Sequence, residues 1–225
     1  MFKYLLFDVD DTLLDFHKSS LFSLIKTFKD YGINLNDEMI DDYMTINNNL
    51  WKQFEKKAIT REEVLFNRFK LFFDKYNLNL DEIEFNKQYL TNIAYHPFLI
   101  ENALEVLNDL KENYEIYLVS NGVKFVQDTR LKITGIDKLI KDKFVSEEIG
   151  FNKPDVKYFE EVFKRIPNFD KNKALLIGDS LTSDIQGANN VGLQCVYFKH
   201  NDIDYSKYKI DYIITNLNEL YDILR

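Results

Sequence analysis

The sequence predicts an α/β fold, a doubly wound, Rossmann-like core with a parallel sheet and an inserted all-helical domain. An apolar run at residues 4–7 is typical of a buried central strand. Residues 16–95 then show helical periodicity alone, and from residue 96 onward strand and helix patterns alternate. Because such alternation forms right-handed βαβ units, we expect a parallel sheet with helices on both faces.

The predicted core domain comprises residues 1–15 and 96–225. Its later strands are short apolar segments at residues 116–119, 144–146, 174–177, 195–198 and 212–214. A helical stripe precedes the first of these and consists of Ala103, Val106, Leu107 and Leu110. The chain closes with a helix that Asn216 and Glu219 are expected to cap.

The inserted domain, residues 16–95, predicts a small antiparallel bundle of four helices. The first helix is expected to stop near Gly32 and the second to begin at Asn36. The third opens with the capping box of residues 60–63, and the fourth follows Asp81. This domain therefore has no strands of its own.

Composition excludes several kinds of protein. The formal net charge of −8 argues against binding of a nucleic-acid polymer, which requires a basic face. Cys195 is the only cysteine, so neither a disulfide framework nor a cysteine-based metal site is possible. No apolar run is long enough for a membrane span, and we expect the N-terminal residues to lead into a strand and not to form a signal peptide. We expect a cytoplasmic protein, monomeric or homodimeric, with a small-molecule substrate.

Polar residues follow each predicted core strand. Asp8 and Asp10 come directly after the first strand, where two carboxylates repel unless a cation or a shared proton separates them. Ser120 and Asn121 end the second strand, where a hydroxyl and free helix N–H groups can bind an anion. Taken singly, the carboxylates could form a solvated acidic turn, and the Ser-Asn pair an ordinary turn or helix cap.

The remaining strand ends add a lysine and two more carboxylates. Lys153 stands directly before a proline, and Asp179 follows a core strand with Asp184 five residues later. A solvated turn lysine and a simple helix cap are the alternatives for these positions. The combination of all these residues, in this order, is far more specific than any one of them.

In this combination the sequence resembles the haloacid dehalogenase-like superfamily of phosphohydrolases, over the whole chain. Its four motifs are matched by residues 8–12, Ser120-Asn121, Lys153-Pro154, and residues 178–180 with Asp184. The helical insertion lies where that superfamily carries its type 1 cap, a domain implied to set substrate specificity. The sequence looks closest to the pyrimidine 5′-nucleotidase branch, through the segments 47–51, 58–60, 120–122, 145–150 and 178–185.

The resemblance implies a Mg²⁺-dependent phosphomonoesterase with an aspartyl-phosphate intermediate. Asp8 is expected to be the nucleophile and Asp10 the general acid and base. The implied metal ligands are Asp8, the backbone carbonyl of Asp10, Asp179 and Asp184. Lys153 is expected to be the third catalytic residue, and the residues expected to hold the phosphate are Thr12, Ser120, Asn121 and Lys153.

The substrate is less well defined than the chemistry. A nucleoside 5′-monophosphate is favoured, and a small sugar or organic-acid phosphate, as for a phosphoglycolate phosphatase, is the alternative. A non-catalytic phospholigand-binding protein is the alternative of a different class. In the cap, Asn47 and Trp51 are candidates for contact with a nucleobase, although an amide satisfied inside the bundle also explains Asn47. Arg68 is expected to be exposed and salt-bridged.

Overall fold

The computed structural model describes residues 1–224, which divide into two compact units. The core unit consists of Met1–Phe16 and of the residues from Pro97 onward, and the helical unit consists of His17–His96. Both boundaries lie one residue beyond the positions that the sequence predicts. Arg225, the last residue of the predicted core domain, lies outside the described residues.

The core unit is built on one parallel sheet. Within residues 1–224 its six strands are β1 (Tyr4–Phe7), β2 (Glu115–Ser120), β3 (Asp142–Val145), β4 (Ala174–Gly178), β5 (Gln194–Phe198) and β6 (Tyr212–Ile214). Their order is β3-β2-β1-β4-β5-β6, and every neighbouring pair is parallel. The strand order reverses between β1 and β4, and in open α/β sheets ligands bind beyond the carboxyl ends of strands at such a point.

The central strand β1 is buried on both faces of the sheet. Leu5 and Phe7 belong to one hydrophobic cluster, whereas Tyr4 and Leu6 belong to a second. This separation follows from the two-residue period of a strand, which sends successive side chains to opposite faces. The predicted fold class, a doubly wound parallel sheet, is confirmed.

Helices connect the strands and form the insertion. They are α1 (Phe16–Asp30), α2 (Asp37–Glu55), α3 (Arg61–Tyr76), α4 (Glu82–Tyr95), α5 (Ala103–Leu110), α6 (Lys124–Thr134), α7 (Ser146–Ile149), α8 (Val156–Arg165), α9 (Gln186–Val191) and α10 (Leu220–Leu224). A π-helical turn, Leu181–Ile185, precedes α9. Among the described residues, no helix combines the length and the apolar character needed to cross a membrane.

The helical unit begins its helices where local capping predicts. The side chain of Asn36 accepts a hydrogen bond from the backbone of α2, and Thr60 and Glu63 form a reciprocal capping box on α3. The side chain of Asp81 accepts hydrogen bonds from two backbone N–H groups in the first turn of α4. Aromatic side chains fill the interior of this unit, including Phe28, Tyr43, Phe69, Phe72, Phe85 and Tyr89.

The prediction that Arg68 is exposed is wrong. Its side chain is buried within the helical unit, and its Nε donates to Asn86 Oδ1 at 3.0 Å. The guanidinium also lies over the ring of Tyr89, 4.8 Å from the ring centroid. An amide acceptor and aromatic faces therefore offset the cost of removing this charge from water. The aromatic residues next to Arg68 in the sequence were the signal that could have indicated its burial.

Candidate active site

A tight loop after β1 fixes the first two carboxylates. The backbone N–H of Asp8 bonds to Ile177 of β4, and the N–H groups of Leu13 and Leu14 both bond to the carbonyl of Val9. Asp11 adopts a φ of 57° in this loop, a conformation that aspartate tolerates better than most residues. The loop leaves Asp8 buried and Asp10 partly exposed.

The loop after β4 brings Asp179 and Asp184 to the same place. Asp184 lies in the π-helical turn that begins three residues after β4, and this turn places its side chain beside the end of the strand. Its Oδ2 accepts from the N–H of Ser180 at 3.1 Å. A Cβ on Gly178 would lie 2.5 Å from the Asp184 carboxyl carbon, so only glycine permits this approach. Oxygens of Asp8, Asp179 and Asp184 lie within 4.8 Å of one another.

Lys153 enters this cluster of three carboxylates from the loop before α8. Its ammonium donates to Asp8 Oδ1 at 2.5 Å, to Asp184 Oδ1 at 2.6 Å and to the carbonyl of Val119 at 2.9 Å. The side chain of Asn121 holds the backbone of Lys153 through two hydrogen bonds, with Lys153 N–H donating to Oδ1 at 2.8 Å and Nδ2 donating to the carbonyl at 2.9 Å. The Lys153-Pro154 peptide bond is cis. The Asn121 side chain thus positions the lysine.

Burial and neighbouring charges shift the pKa values of the residues in this cluster. Desolvation raises the pKa of Asp8 to about 8, because burial and the nearby carboxylates outweigh the attraction of Lys153. Desolvation, together with Asp8 and Asp184, also raises the pKa of Asp179 well above its usual range. Burial lowers the pKa of Lys153, but Asp184 and Asp8 outweigh it, so the pKa lies above its ordinary value. Lys153 therefore stays charged and is the cation that lies among the three carboxyl groups.

These residues fit a divalent cation. All three side chains offer hard carboxylate oxygens, the ligand type that Mg²⁺ prefers, and a cation would relieve the repulsion that contributes to the raised pKa values of Asp8 and Asp179. The side chain of Asp10 is not part of this cluster, which leaves its backbone carbonyl as the predicted ligand. Thr12 is buried, and its hydroxyl donates to Asp179 Oδ1 at 3.4 Å. In this structure Thr12 thus orients a carboxylate of the cluster.

Ser120 lies at the carboxyl end of β2, beside β1 in the sheet. Its hydroxyl oxygen accepts from the N–H of Gly122 at 3.0 Å and from Gln127 Nε2 at 2.9 Å. Because both contacts use the oxygen as an acceptor, the hydroxyl hydrogen can be donated to a ligand. That arrangement suits a phosphate oxygen.

Sequence reasoning missed two residues of α6 at this site. Arg130 Nη1 donates to Asp10 Oδ1 at 2.5 Å, and Gln127 Nε2 donates to Asp10 Oδ2 at 2.6 Å. Both side chains are buried. Their three-residue spacing places them on one helix face. Two long polar residues on the otherwise apolar side of a helix that follows Ser120-Asn121-Gly122 were the signal available in the sequence.

The two predicted cap residues lie in the helical unit, on α2. Asn47 is buried, and its Oδ1 has no hydrogen-bond partner within the described residues. Trp51 is partly exposed and packs edge-on against Phe54, with ring centroids 5.6 Å apart. Their contact with a substrate stays a prediction.

Comparison with known proteins decides the family. The family model for haloacid dehalogenase-like hydrolases matches residues 2–192. The chain belongs to this family. It is accordingly a hydrolase. Three of the four motifs that carry the resemblance lie at the carboxyl ends of β1, β2 and β4, and the fourth, Lys153-Pro154, lies in the loop before α8.

Individual relatives show which branch of the family this chain resembles. The HAD-hydrolase YfnB of Bacillus subtilis is 39% identical over 225 residues, which cover 99% of this chain and 95% of that protein. A crystal structure of YfnB bound to magnesium matches with a TM-score of 0.95 and 38% identity, covering 100% of this chain and 99% of that chain. The pyrimidine 5′-nucleotidase PynA of Streptococcus pneumoniae is 32% identical, covering 99% of this chain and 95% of that protein. The predicted resemblance to the pyrimidine 5′-nucleotidase branch is confirmed.

A relative with lower sequence identity is named for a substrate that is not a nucleotide. The glyceraldehyde 3-phosphate phosphatase of Pyrococcus furiosus is 28% identical over 236 aligned residues, which cover 99% of this chain and 92% of that protein. Membership of the family therefore establishes the class of enzyme, whereas the substrate differs between relatives.

Proposed function

We propose that this chain is a Mg²⁺-dependent phosphomonoesterase that hydrolyses nucleoside 5′-monophosphates and prefers pyrimidines. The observation that carries the chemistry is the convergence of Asp8, Lys153 and Ser120 at neighbouring strand ends, beside the carboxylates of Asp179 and Asp184. A phosphate monoester needs a nucleophile and donors for its oxygens within one small volume, and these residues supply both. The similarity to a pyrimidine 5′-nucleotidase supports the choice of substrate.

The proposed reaction has two halves. A carboxylate oxygen of Asp8 attacks phosphorus and forms an aspartyl-phosphate, while Asp10 gives a proton to the leaving oxygen. Asp10 then takes a proton from the water that opens this intermediate. Ser120, the N–H of Asn121 and Lys153 hold the phosphoryl oxygens as charge spreads onto them.

The proposed metal ligands are Asp8, Asp179, the backbone carbonyl of Asp10 and, directly or through water, Asp184. Bound there, Mg²⁺ would neutralise the carboxylates and the phosphate dianion so that the two anions can meet. The roles of Lys153 and Thr12 follow from their contacts with this cluster. Lys153 orients Asp8, and Thr12 orients Asp179.

A second candidate function is hydrolysis of small sugar or organic-acid phosphates. The similarity to a glyceraldehyde 3-phosphate phosphatase supports it, because the core motifs treat every phosphate monoester alike. The substrate is in either case a small molecule. The net charge of −8 disfavours a nucleic-acid polymer as substrate, and the lone cysteine, buried and unpaired, suits a cytoplasmic protein.

A panel of phosphate esters, each assayed with Mg²⁺ and with EDTA, tests the proposal. It contains pyrimidine and purine 5′-monophosphates, glyceraldehyde 3-phosphate, phosphoglycolate and p-nitrophenyl phosphate. The highest kcat/KM should be found for the pyrimidine nucleotides, and EDTA should abolish it. A higher value for a small phosphate would favour the second candidate. If no ester is hydrolysed faster than by the Asp8→Asn variant, a non-catalytic binding protein replaces both.

A further inference from the structure

Two side chains of α6 bind both carboxylate oxygens of Asp10. Arg130 reaches Oδ1 and Gln127 reaches Oδ2, at 2.5 and 2.6 Å. Arg130 Nη1 also contacts Gln127 Oε1 at 3.3 Å, so the two donors are linked to each other. With a donor on each oxygen, the plane of the Asp10 carboxyl group is fixed, which one donor alone would not achieve.

Stability does not account for Arg130. Its side chain is 0% exposed, yet its Nε and Nη2 have no hydrogen-bond partner among the described residues. The guanidinium packs on the ring of Phe16, 5.5 Å from the centroid. Burial of a guanidinium with unsatisfied N–H groups is costly, and an apolar residue of similar volume often replaces a buried ion pair without loss. The contact of Arg130 with Asp10 is therefore the feature that explains a buried arginine at this position.

Gln127 connects Asp10 with the proposed phosphate site. Its single amide nitrogen donates to Asp10 Oδ2 and to Ser120 Oγ. Gly122 leaves room for this amide, because a Cβ at that position would overlap the Gln127 side chain. The position of the carboxylate is thereby tied to the position of the hydroxyl that would hold the phosphate.

We propose that Arg130 and Gln127 are positioning residues that orient Asp10 for both of its proton transfers. This inference rests on the proposed function, in which Asp10 is the general acid and base. In the first half an Asp8 carboxylate oxygen bonds to phosphorus, the P–O bond to the leaving group breaks, and its electron pair goes to the leaving oxygen, which takes a proton from Asp10. In the second half a water oxygen bonds to phosphorus, its proton passes to Asp10, and the bond to Asp8 breaks to restore the Asp8 carboxylate. Both transfers need Asp10 at one defined distance and angle.

The two halves can be separated with p-nitrophenyl phosphate. Because p-nitrophenolate leaves without a proton, the first half should not need a well-placed Asp10, whereas the second half should. In a rapid-mixing experiment with Arg130→Lys, the initial burst of p-nitrophenolate should keep its rate within about threefold. The steady-state rate should fall by roughly tenfold or more, and so should single-turnover hydrolysis of uridine 5′-monophosphate.

Gln127→Met provides the second variant. Its burst rate should also be kept while its steady-state rate falls. Its KM should rise as well, because Ser120 loses a hydrogen-bond donor. Lys132→Met is the matched control, since Lys132 is exposed on the same helix, and both of its phases should equal those of the wild type. If the burst and the steady state fall in the same proportion, or if neither changes, the positioning role is overturned.

A crystal structure of Arg130→Met supplies a readout that does not depend on activity. The Asp10 side chain should leave the position seen here, whereas the Phe16 ring and the backbone of α6 should stay in place. An unchanged Asp10 would overturn the inference even in an active enzyme. A wild-type protein inactive on every ester would instead overturn the proposed function, and the crystal structure would still decide whether Arg130 positions Asp10.

Discussion

The ammonium group of Lys153 lies 2.5 Å from the carboxylate of Asp8. The two residues are 145 positions apart in sequence, on loops that follow different parts of the sheet. The contact orients the proposed nucleophile and supplies positive charge beside it. Because the same ammonium also binds Asp184, it stands between two of the three clustered carboxylates.

Replacement of Lys153 should therefore destabilise the metal-free protein. Lys153→Met leaves the buried carboxyl groups of Asp8 and Asp184 without this cation, and loss of one partner from a buried ion pair costs about 3–5 kcal/mol. Urea denaturation in EDTA should show a loss of this size, and saturating Mg²⁺ should restore part of it. Lys157→Met, which removes an exposed lysine from the same region, is the control and should have little effect. An equal loss with and without Mg²⁺ would contradict the shared role of lysine and metal.

Asp8→Asn should separate stability from activity. Burial raises the pKa of Asp8 to about 8, which means that the ionised form is disfavoured in the metal-free protein. A neutral amide should thus leave the metal-free protein at least as stable as the wild type in thermal unfolding. Turnover should fall by roughly 10³-fold or more, because the proposed nucleophile is gone. Substantial steady-state activity in the folded variant would rule out an aspartyl-phosphate on Asp8.

Gly178→Ala should weaken metal binding without touching a metal ligand. The new methyl group would lie 2.5 Å from the Asp184 carboxyl carbon, so Asp184 must move. The Mg²⁺ concentration that gives half-maximal activity should rise by about tenfold, a size typical of losing a group that orients a ligand. Asp184→Asn should reproduce the shift, and calorimetric titration with Mg²⁺ should show it without substrate. An unchanged Mg²⁺ requirement in both variants would remove Asp184 from the metal site.

Residues that follow apolar strands could be predicted from the sequence. Asp8, Ser120 and Asp179 each come at the end of a strand, and the parallel sheet necessarily brings these ends together. Lys153 was found through its place in the ordered set, although its burial was not visible in the sequence. The helix starts at Thr60 and Asp81 were also predicted, because a cap is a local interaction.

Contacts that depend on packing could not be predicted. Arg130 and Gln127 reach Asp10 only after α6 has packed within the core unit, and their place on the apolar side of the helix does not identify Asp10 as their partner. Arg68 was mispredicted for the same reason, since its aromatic and amide partners come partly from another helix. Long polar side chains are expected at the surface unless a tertiary partner is known.

Cys195 should be unreactive in the folded protein. Burial raises the pKa of its thiol from 9.0 to about 11, so very little thiolate exists at pH 8. Dithionitrobenzoate should label it slowly in buffer and rapidly in urea. Since the folded state holds this proton more tightly than the unfolded state, the thiol's contribution to the free energy of unfolding should fall as the pH rises from about 9 to about 11. Comparison with Cys195→Ala isolates that contribution, and rapid native labelling at pH 8 would contradict the burial.

Specificity should reside in the helical unit, because the core residues are proposed to contact only the phosphate group that all phosphate monoesters share. Trp51 is partly exposed, which leaves its ring free to stack on a flat base, and the buried Asn47 offers a carbonyl oxygen without a partner among the described residues. Trp51→Ala and Asn47→Ala should each lower kcat/KM for uridine 5′-monophosphate by roughly tenfold, the scale of one stacking or polar contact. Hydrolysis of p-nitrophenyl phosphate should change much less, and Asn48→Ala, at an exposed position of the same helix, should change neither. Equal losses on both esters would mean that Asn47 and Trp51 only stabilise the bundle, and unchanged nucleotide kinetics would exclude them from substrate recognition.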